Sequence, residues 1–259
     1  MTKIISKEKS LMKKILITTI ILITFCLSGV VYAANLDEFN GKTLDKMWTY
    51  RDPAKKGTYR LEGGKLILDL KAGADMYIRG TDAGVCFLMD PPKGLNDFSI
   101  VTMVNSAVNG TQPPACQPGL IFFNEANWAY SIWGPYANTD IRLEDCEGAS
   151  YRWRDQTQIG INKADVDIDK DVWIMIKKTG QELEFFAKGA EKDNWKSGGI
   201  DKKLMPNYTA GNYKIGLVAK SWGGSVDSTF EFDFFDIPEV PKAVSSQGKI
   251  TSTWAGIKR

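Results

Sequence analysis

The chain has no histidine among its 259 residues. That absence excludes Ser-His-Asp and Cys-His triads, zinc sites that need imidazole, and any histidine general base. Cysteine is scarce at four, with no Cys-x-x-Cys pair for redox or zinc chemistry. There is no Gly-x-Ser-x-Gly elbow and no glycine-rich phosphate loop ahead of a helix. An excess of one charge is missing too. Lys+Arg 33 against Asp+Glu 31 gives +2, too balanced for a nucleic-acid partner. What remains is ordinary globular composition, 43% hydrophobic and 25% charged.

Long apolar runs are absent except for one, and that one has a recognisable use. Lys13-Lys14 precede an uncharged stretch from Ile15 to Val31, which ends in Val31-Tyr32-Ala33. A basic start, an apolar centre and a small-x-small site predict a cleaved secretory signal peptide over residues 1–33, with Met12 the better start. The competing reading is a retained N-terminal anchor, because the run is near the lower length limit for spanning a bilayer. Phe25 before Cys26 is too bulky for a lipoprotein signal. Removing the five lysines and one glutamate of residues 1–33 leaves 226 residues with a net charge of −2. The expected location is secreted, periplasmic or cell-surface, with no membrane span after cleavage.

Three cysteines then remain, Cys86, Cys116 and Cys146. In an oxidising compartment one disulfide is expected, and Cys116–Cys146 is the pair flanked by polar turn sequence. Closing that loop would stabilise by about 3–4 kcal/mol in the chain-entropy account. Cys86, in Val85-Cys86-Phe87-Leu88, reads as a small buried residue.

Beyond residue 33 the pattern is strand after strand. Leu66, Leu68 and Leu70 alternate with Lys65, Ile67 and Asp69 after the turn Glu62-Gly63-Gly64. Ile100, Thr102 and Val104 repeat the period, as do Val172, Ile174 and Ile176, then Ile215 and Leu217, then Phe230, Phe232 and Phe234. Period-2 runs punctuated by turn residues, with no helical stripe, predict two packed antiparallel sheets over 34–239. Pro238-Glu239-Val240-Pro241 closes the pattern, and 240–259 reads as a linker and tail with Trp254 as a docking residue.

Several blocks in order resemble the concanavalin A-like lectin/glucanase superfamily, and within it the sandwich domains appended to bacterial β-xylosidases. Leu44-Asp45-Lys46-Met47-Trp48 is similar to the opening strand, and Tyr59 to Leu66 to the second hairpin. Asp97-Phe98-Ser99-Ile100 resembles a third block, Pro118-Gly119-Leu120-Ile121-Phe122 with Asn127-Trp128 a fourth, and Phe232-Asp233-Phe234-Phe235-Asp236-Ile237 the closing strand. The resemblance implies an all-β, jelly-roll-like sandwich with one concave sheet and a carbohydrate ligand. It also allows a structural calcium. If first and last strands pair, Glu38 or Asp37 meets Asp233 or Asp236, and calcium takes such oxygen clusters. Asp165-Val166-Asp167-Ile168-Asp169-Lys170-Asp171 looks like a calcium loop, yet lacks the glycine and the twelfth-position Glu of an EF-hand.

Glycoside hydrolysis needs two carboxyl groups about 5–5.5 or 6.5–9.5 Å apart. Catalytic members of the superfamily carry Glu-x-Asp-x-(x)-Glu on one strand, and Glu231-Phe232-Asp233 is similar to its start. The last acid here is Asp236 and the segment fits the closing strand, so Glu231 and Asp233 are the catalytic alternative rather than the first reading. A pair such as Glu125 and Glu144 is a further alternative. The aromatic supply points to binding instead, since sugar C–H faces pack on flat rings while polar side chains hold the hydroxyls. If Trp128, Tyr130 and Ile132 fill the core, Trp133 faces outward, and Arg142 and Glu144 share the polar phase of the next strand. Trp153 and Trp222 read as rim aromatics. The expected function is therefore a secreted, non-catalytic polysaccharide-binding sandwich using Trp133, Arg142, Glu144, Trp153 and Trp222. The alternatives are a glycoside hydrolase and an assembly domain of a bacterial envelope protein attached through its tail.

Overall fold

Alternation of apolar and polar side chains becomes strand structure throughout, as in Asp171–Thr179, where inward residues are buried and their neighbours are not. The structure, a computed structural model, describes residues 36–77, 82–146, 159–202, 212–223 and 225–242. The expected signal peptide, Trp153 and the tail from residue 243 lie outside them. No helix among the described residues is long and apolar enough to cross a membrane.

The strands are β1 (Thr49–Arg51), β2 (Gly57–Glu62), β3 (Lys65–Leu70), β4 (Val85–Met89), β5 (Phe98–Asn105), β6 (Cys116–Asn124) and β7 (Ala129–Tyr136). They continue with β8 (Asp140–Cys146), β9 (Gly160–Asn162), β10 (Asp171–Thr179), β11 (Glu182–Lys188), β12 (Lys196–Asp201), β13 (Lys214–Ser221) and β14 (Ser228–Asp236). Two seven-stranded sheets form, ordered β1-β4-β13-β6-β7-β8-β9 and β12-β11-β10-β5-β14-β3-β2. Every recorded strand pairing is antiparallel. This is the two-sheet antiparallel sandwich expected from the sequence.

Turn chemistry sets the registers. Glu62 pairs with Lys65, so Gly63 and Gly64 make a two-residue hairpin loop. Their φ values of 62° and 75° are the left-handed pair that such a loop demands. The first described segment meets the last strand as expected, with Asp37 bridging Phe235 of β14. Beyond β14, Glu239 accepts hydrogen bonds from the Ser99 N–H and hydroxyl, both at 2.9 Å. That holds Val240 in the core.

The core fills the space between the sheets. Val85, Phe87, Leu120, Phe122, Ile215 and Leu217 from the first sheet meet Leu66, Leu68, Ile100, Ile174, Phe185 and Phe232 from the second. Cys116 points into this core. Cys146 belongs to a separate apolar cluster on the outer face of the first sheet, with Cys86, Phe123, Tyr130 and Ile132. The expected Cys116–Cys146 disulfide is therefore a misreading. The two thiols lie on opposite faces of one sheet, with β7 between their strands, and no disulfide joins any of the three described cysteines.

Candidate functional site

Both faces of the first sheet are apolar along β7, and this decides the fate of Trp133. Odd-numbered Trp133 points inward and is fully buried, its indole N–H donating to the Phe186 carbonyl at 2.8 Å. It packs against Phe185 and beneath Gly198, where an added Cβ would stand 2.4 Å from the indole. Trp128, Tyr130 and Ile132 instead form the outer cluster. The expected phase of β7 is thus reversed, and Trp133 is a core residue rather than a ligand platform. An aromatic strand with apolar residues in both phases gives alternation nothing to distinguish.

The outer face of the first sheet carries a cavity of about 220 Å³ lined by Asp75, Tyr77, Tyr136, Glu144, Lys220 and Trp222. Lys220 of β13 is 1% exposed and pairs with the equally buried Glu144 of β8. Its ammonium also donates to the Met76 carbonyl at 3.1 Å. The Tyr130 hydroxyl donates to Glu144 Oε1 at 2.9 Å. Burial, then the charge of Glu144, pushes the Tyr130 hydroxyl well above its usual range. Asp75 Oδ1 lies 3.9 Å from the Lys220 ammonium and has no hydrogen-bond partner among the described residues. Burial raises the Asp75 carboxyl above the ordinary carboxylate range, Lys220 opposing and Glu144 adding to the rise.

The aromatic wall is a pair. Tyr136 and Trp222 stand 5.0 Å apart with 31° between their planes. The Lys220 ammonium lies 5.4 Å from the Trp222 ring centre. Arg142 covers Tyr136 at 4.7 Å and is held by Asp140 at 2.6 Å. Trp222 is positioned by its N–H donating to the Ala115 carbonyl at 2.9 Å. Arg142, Glu144 and Trp222 therefore fall together. Asp75, Tyr136 and Lys220 were missed by the sequence reading. Lys220 had a signal, being a lone charge in the apolar run Ile215–Ser221, and Tyr136 ended the aromatic run already singled out.

The other acids are placed elsewhere. Glu125 bonds Arg51 at 3.0 Å, and Glu144, not Glu125, lines the cavity. Glu231 bonds Lys65 at 2.7 Å on the outer face of the second sheet. Asp233 occupies a β-bulge there, between Phe232 and Phe234. Burial raises its carboxyl, Lys65 opposes, and Asp171, Glu231 and Glu38 add to the rise. Asp37 is consumed by the Trp48 indole and the Phe39 N–H, both at 2.8 Å. Asp165, Asp167 and Asp169 pair separately with Lys196, Lys170 and Lys163. Among the described residues no group of three or more His, Cys, Asp or Glu side chains converges, so the structure gives no support to the calcium expected at Glu38 and Asp233.

The fold is that of the concanavalin A-like sandwiches. A Bacteroides ovatus structure described as xyloglucan PUL GH43B superposes with TM-score 0.57 at 17% identity, covering 79% of this chain and 39% of that one. A xylan β-1,4-xylosidase from Bacillus halodurans C-125 gives TM-score 0.55 at 15% identity, covering 78% and 38%. This chain thus spans about two fifths of the length of these structures. A functionally unknown protein from Saccharomyces cerevisiae matches along 93% of its own length, with TM-score 0.51 and 13% identity over 73% of this chain. No protein family and no curated protein matches the sequence.

Proposed function

We propose that the chain is a carbohydrate-binding sandwich that holds a sugar unit in the cavity on the outer face of its first sheet without cleaving it. One arrangement carries this reading: the Tyr136–Trp222 pair beside Glu144, Lys220 and Asp75. Flat rings take the C–H face of a sugar while charged groups at the edge exchange hydrogen bonds with its hydroxyls. A cavity of about 220 Å³ suits one small unit rather than a long stretch of chain. Glu144 Oε1 already accepts bonds from Lys220 and Tyr130, which favours an orienting role over attack on the sugar. Export through residues 1–33 fits an extracellular or envelope polysaccharide as partner, and N-terminal sequencing of the exported protein tests that cleavage.

The hydrolase reading has its own support, because two places combine an acid raised by burial with a second carboxylate paired to lysine. These are Asp75 with Glu144, and Asp233 with Glu231. A glycan-array screen followed by product analysis separates the readings. Binding without new reducing ends supports the proposal, and cleavage overturns it. Trp222→Ala and Tyr136→Ala should each abolish the array signal. Unchanged binding in both would remove the cavity from consideration. No binding to any glycan would favour the envelope-assembly alternative, for which deletion of 240–259 would release the protein from the cell surface.

A further inference from the structure

The cavity has an imbalance of charge and of hydrogen bonding, and both point the same way. Its described lining holds two carboxylates, Asp75 and Glu144, and one ammonium, Lys220. The neighbouring Arg142 and Asp140 cancel each other at 2.6 Å. Among the described lining residues the carboxylates therefore exceed the cations by one, and Lys220 reaches Asp75 only at 3.9 Å. The excess is localised as well, because Lys220 is committed to Glu144 and the Met76 carbonyl. At 3.9 Å from the ammonium, Asp75 Oδ1 is beyond hydrogen-bond reach and has no donor among the described residues.

A second acceptor lies close by. Gln117 of β6 pairs in register with Lys220 and is fully buried. Its amide N–H donates to the Arg142 carbonyl at 3.0 Å, while its Oε1 has no donor. An acceptor in the cavity wall without a donor, with a second on the strand position paired to Lys220, is costly unless something donates to it. The aromatic wall completes the set, since ring faces attract cations.

Given the sugar-binding reading on which this rests, we infer that the cavity takes an amino sugar, a hexose unit carrying a protonated amine, in preference to neutral or acidic sugars. The ammonium supplies the missing donors and the missing positive charge, with Asp75 Oδ1 as its principal acceptor. Burial raises the Asp75 carboxyl although Lys220 opposes the rise, so a second cation beside it would favour its charged form. An acidic sugar would place a third negative group beside Asp75 and Glu144, and a neutral sugar would leave the charge uncompensated.

The test compares three oligosaccharide probes on the full chain by calorimetry at mildly acidic pH: a β-1,4-glucosamine oligomer, its fully N-acetylated counterpart, and a cello-oligosaccharide of equal length. The amine form should bind about tenfold more tightly than the other two, a charge-assisted bond replacing a neutral one. Its advantage should shrink as salt is added. Asp75→Asn keeps the side-chain shape and should bring the ratio of amine-form to cello-oligosaccharide affinity down to about one. Equal binding of all three by the wild type would overturn the amino-sugar inference and leave the sugar site standing. A preference that survives both Asp75→Asn and Gln117→Leu would overturn the assignment of the ammonium to these acceptors. Failure of every probe, with no signal on the glycan array, would bring down the underlying reading as well.

Discussion

The two sheets share a core but treat their outer faces in opposite ways. On the first sheet the Lys220–Glu144 pair is 2% and 4% exposed and sits within an apolar cluster. On the second, Lys65–Glu231 is 32% and 20% exposed, and Arg60–Asp69 is 48% and 44% exposed. Exposed pairs cost little and contribute little. A buried pair must overcome the desolvation of two ions, which well-packed hydrophobic residues of like volume would avoid. Burial of this kind, beside a cavity on the first sheet, is the observation on which the proposed sugar site rests. The second mixes these exposed pairs with aromatics such as Trp173 against Phe234, and buries single charges such as Lys188 and Asp236 at its margins.

The sharpest way to break that contrast is to remove one cation from each face. Lys220→Met should cost about 3–5 kcal/mol in denaturant unfolding, because it leaves the buried Glu144 without its cation. Lys65→Met should cost less than about 1 kcal/mol. Adding Glu144→Leu to Lys220→Met should recover most of the loss, since the penalty lies in the uncompensated charge. Equal costs for the two single variants would erase the distinction between the faces.

A second comparison sets the inner face of the first sheet against its outer face. Trp133→Ala should lose about 3–5 kcal/mol by opening a cavity between the sheets. Trp222→Ala removes mainly one aromatic contact, worth about 0.5–1.5 kcal/mol, and its consequence should appear in glycan binding instead. A large stability loss at Trp222 would make it a core residue.

Much of the sandwich was legible. β3, β5, β10 and β13 carry apolar residues in one phase and turn residues at their ends, and each faces the core as its alternation says. β7 was not legible, because Ala129–Tyr136 is apolar in both phases and its neighbours choose which side becomes the core. Gly198, distant in sequence, makes the hollow that admits Trp133. The site was half legible for the same reason. Arg142, Glu144 and Trp222 could be chosen by phase and position, but Asp75 arrives from the segment after β3 and Lys220 from inside a buried strand. Only long-range pairing brings them to Glu144.

Titration distinguishes buried acids from solvated ones. Burial raises the Asp236 carboxyl on the second sheet, against the pull of Lys242. A carboxyl whose folded value is raised favours folding while protonated, so its contribution falls as pH rises from near the ordinary 3.8 through the raised value. Asp236→Asn removes that loss. Its stability relative to wild type should therefore grow across this window and level off above it. Asp75→Asn should behave with the same sign on the first sheet. Opposite signs would mean that Lys242 or Lys220 outweighs burial.

The smallest expected effect is none at all, and it bears on how the sheet separates its faces. Cys116 looks inward and Cys146 outward, so a bridge between them would have to pass through the sheet. Burial pushes the thiols of both Cys86 and Cys116 up to about 12, which leaves them protonated at neutral pH. Such thiols are shielded from oxidant by position and by protonation together. A reductant should leave the unfolding midpoint unchanged. A thiol reagent should find little in the native protein and should label Cys86, Cys116 and Cys146 once the chain is unfolded. A loss of about 3–4 kcal/mol on reduction would instead reveal a disulfide, and the two faces of the first sheet would have to be redrawn.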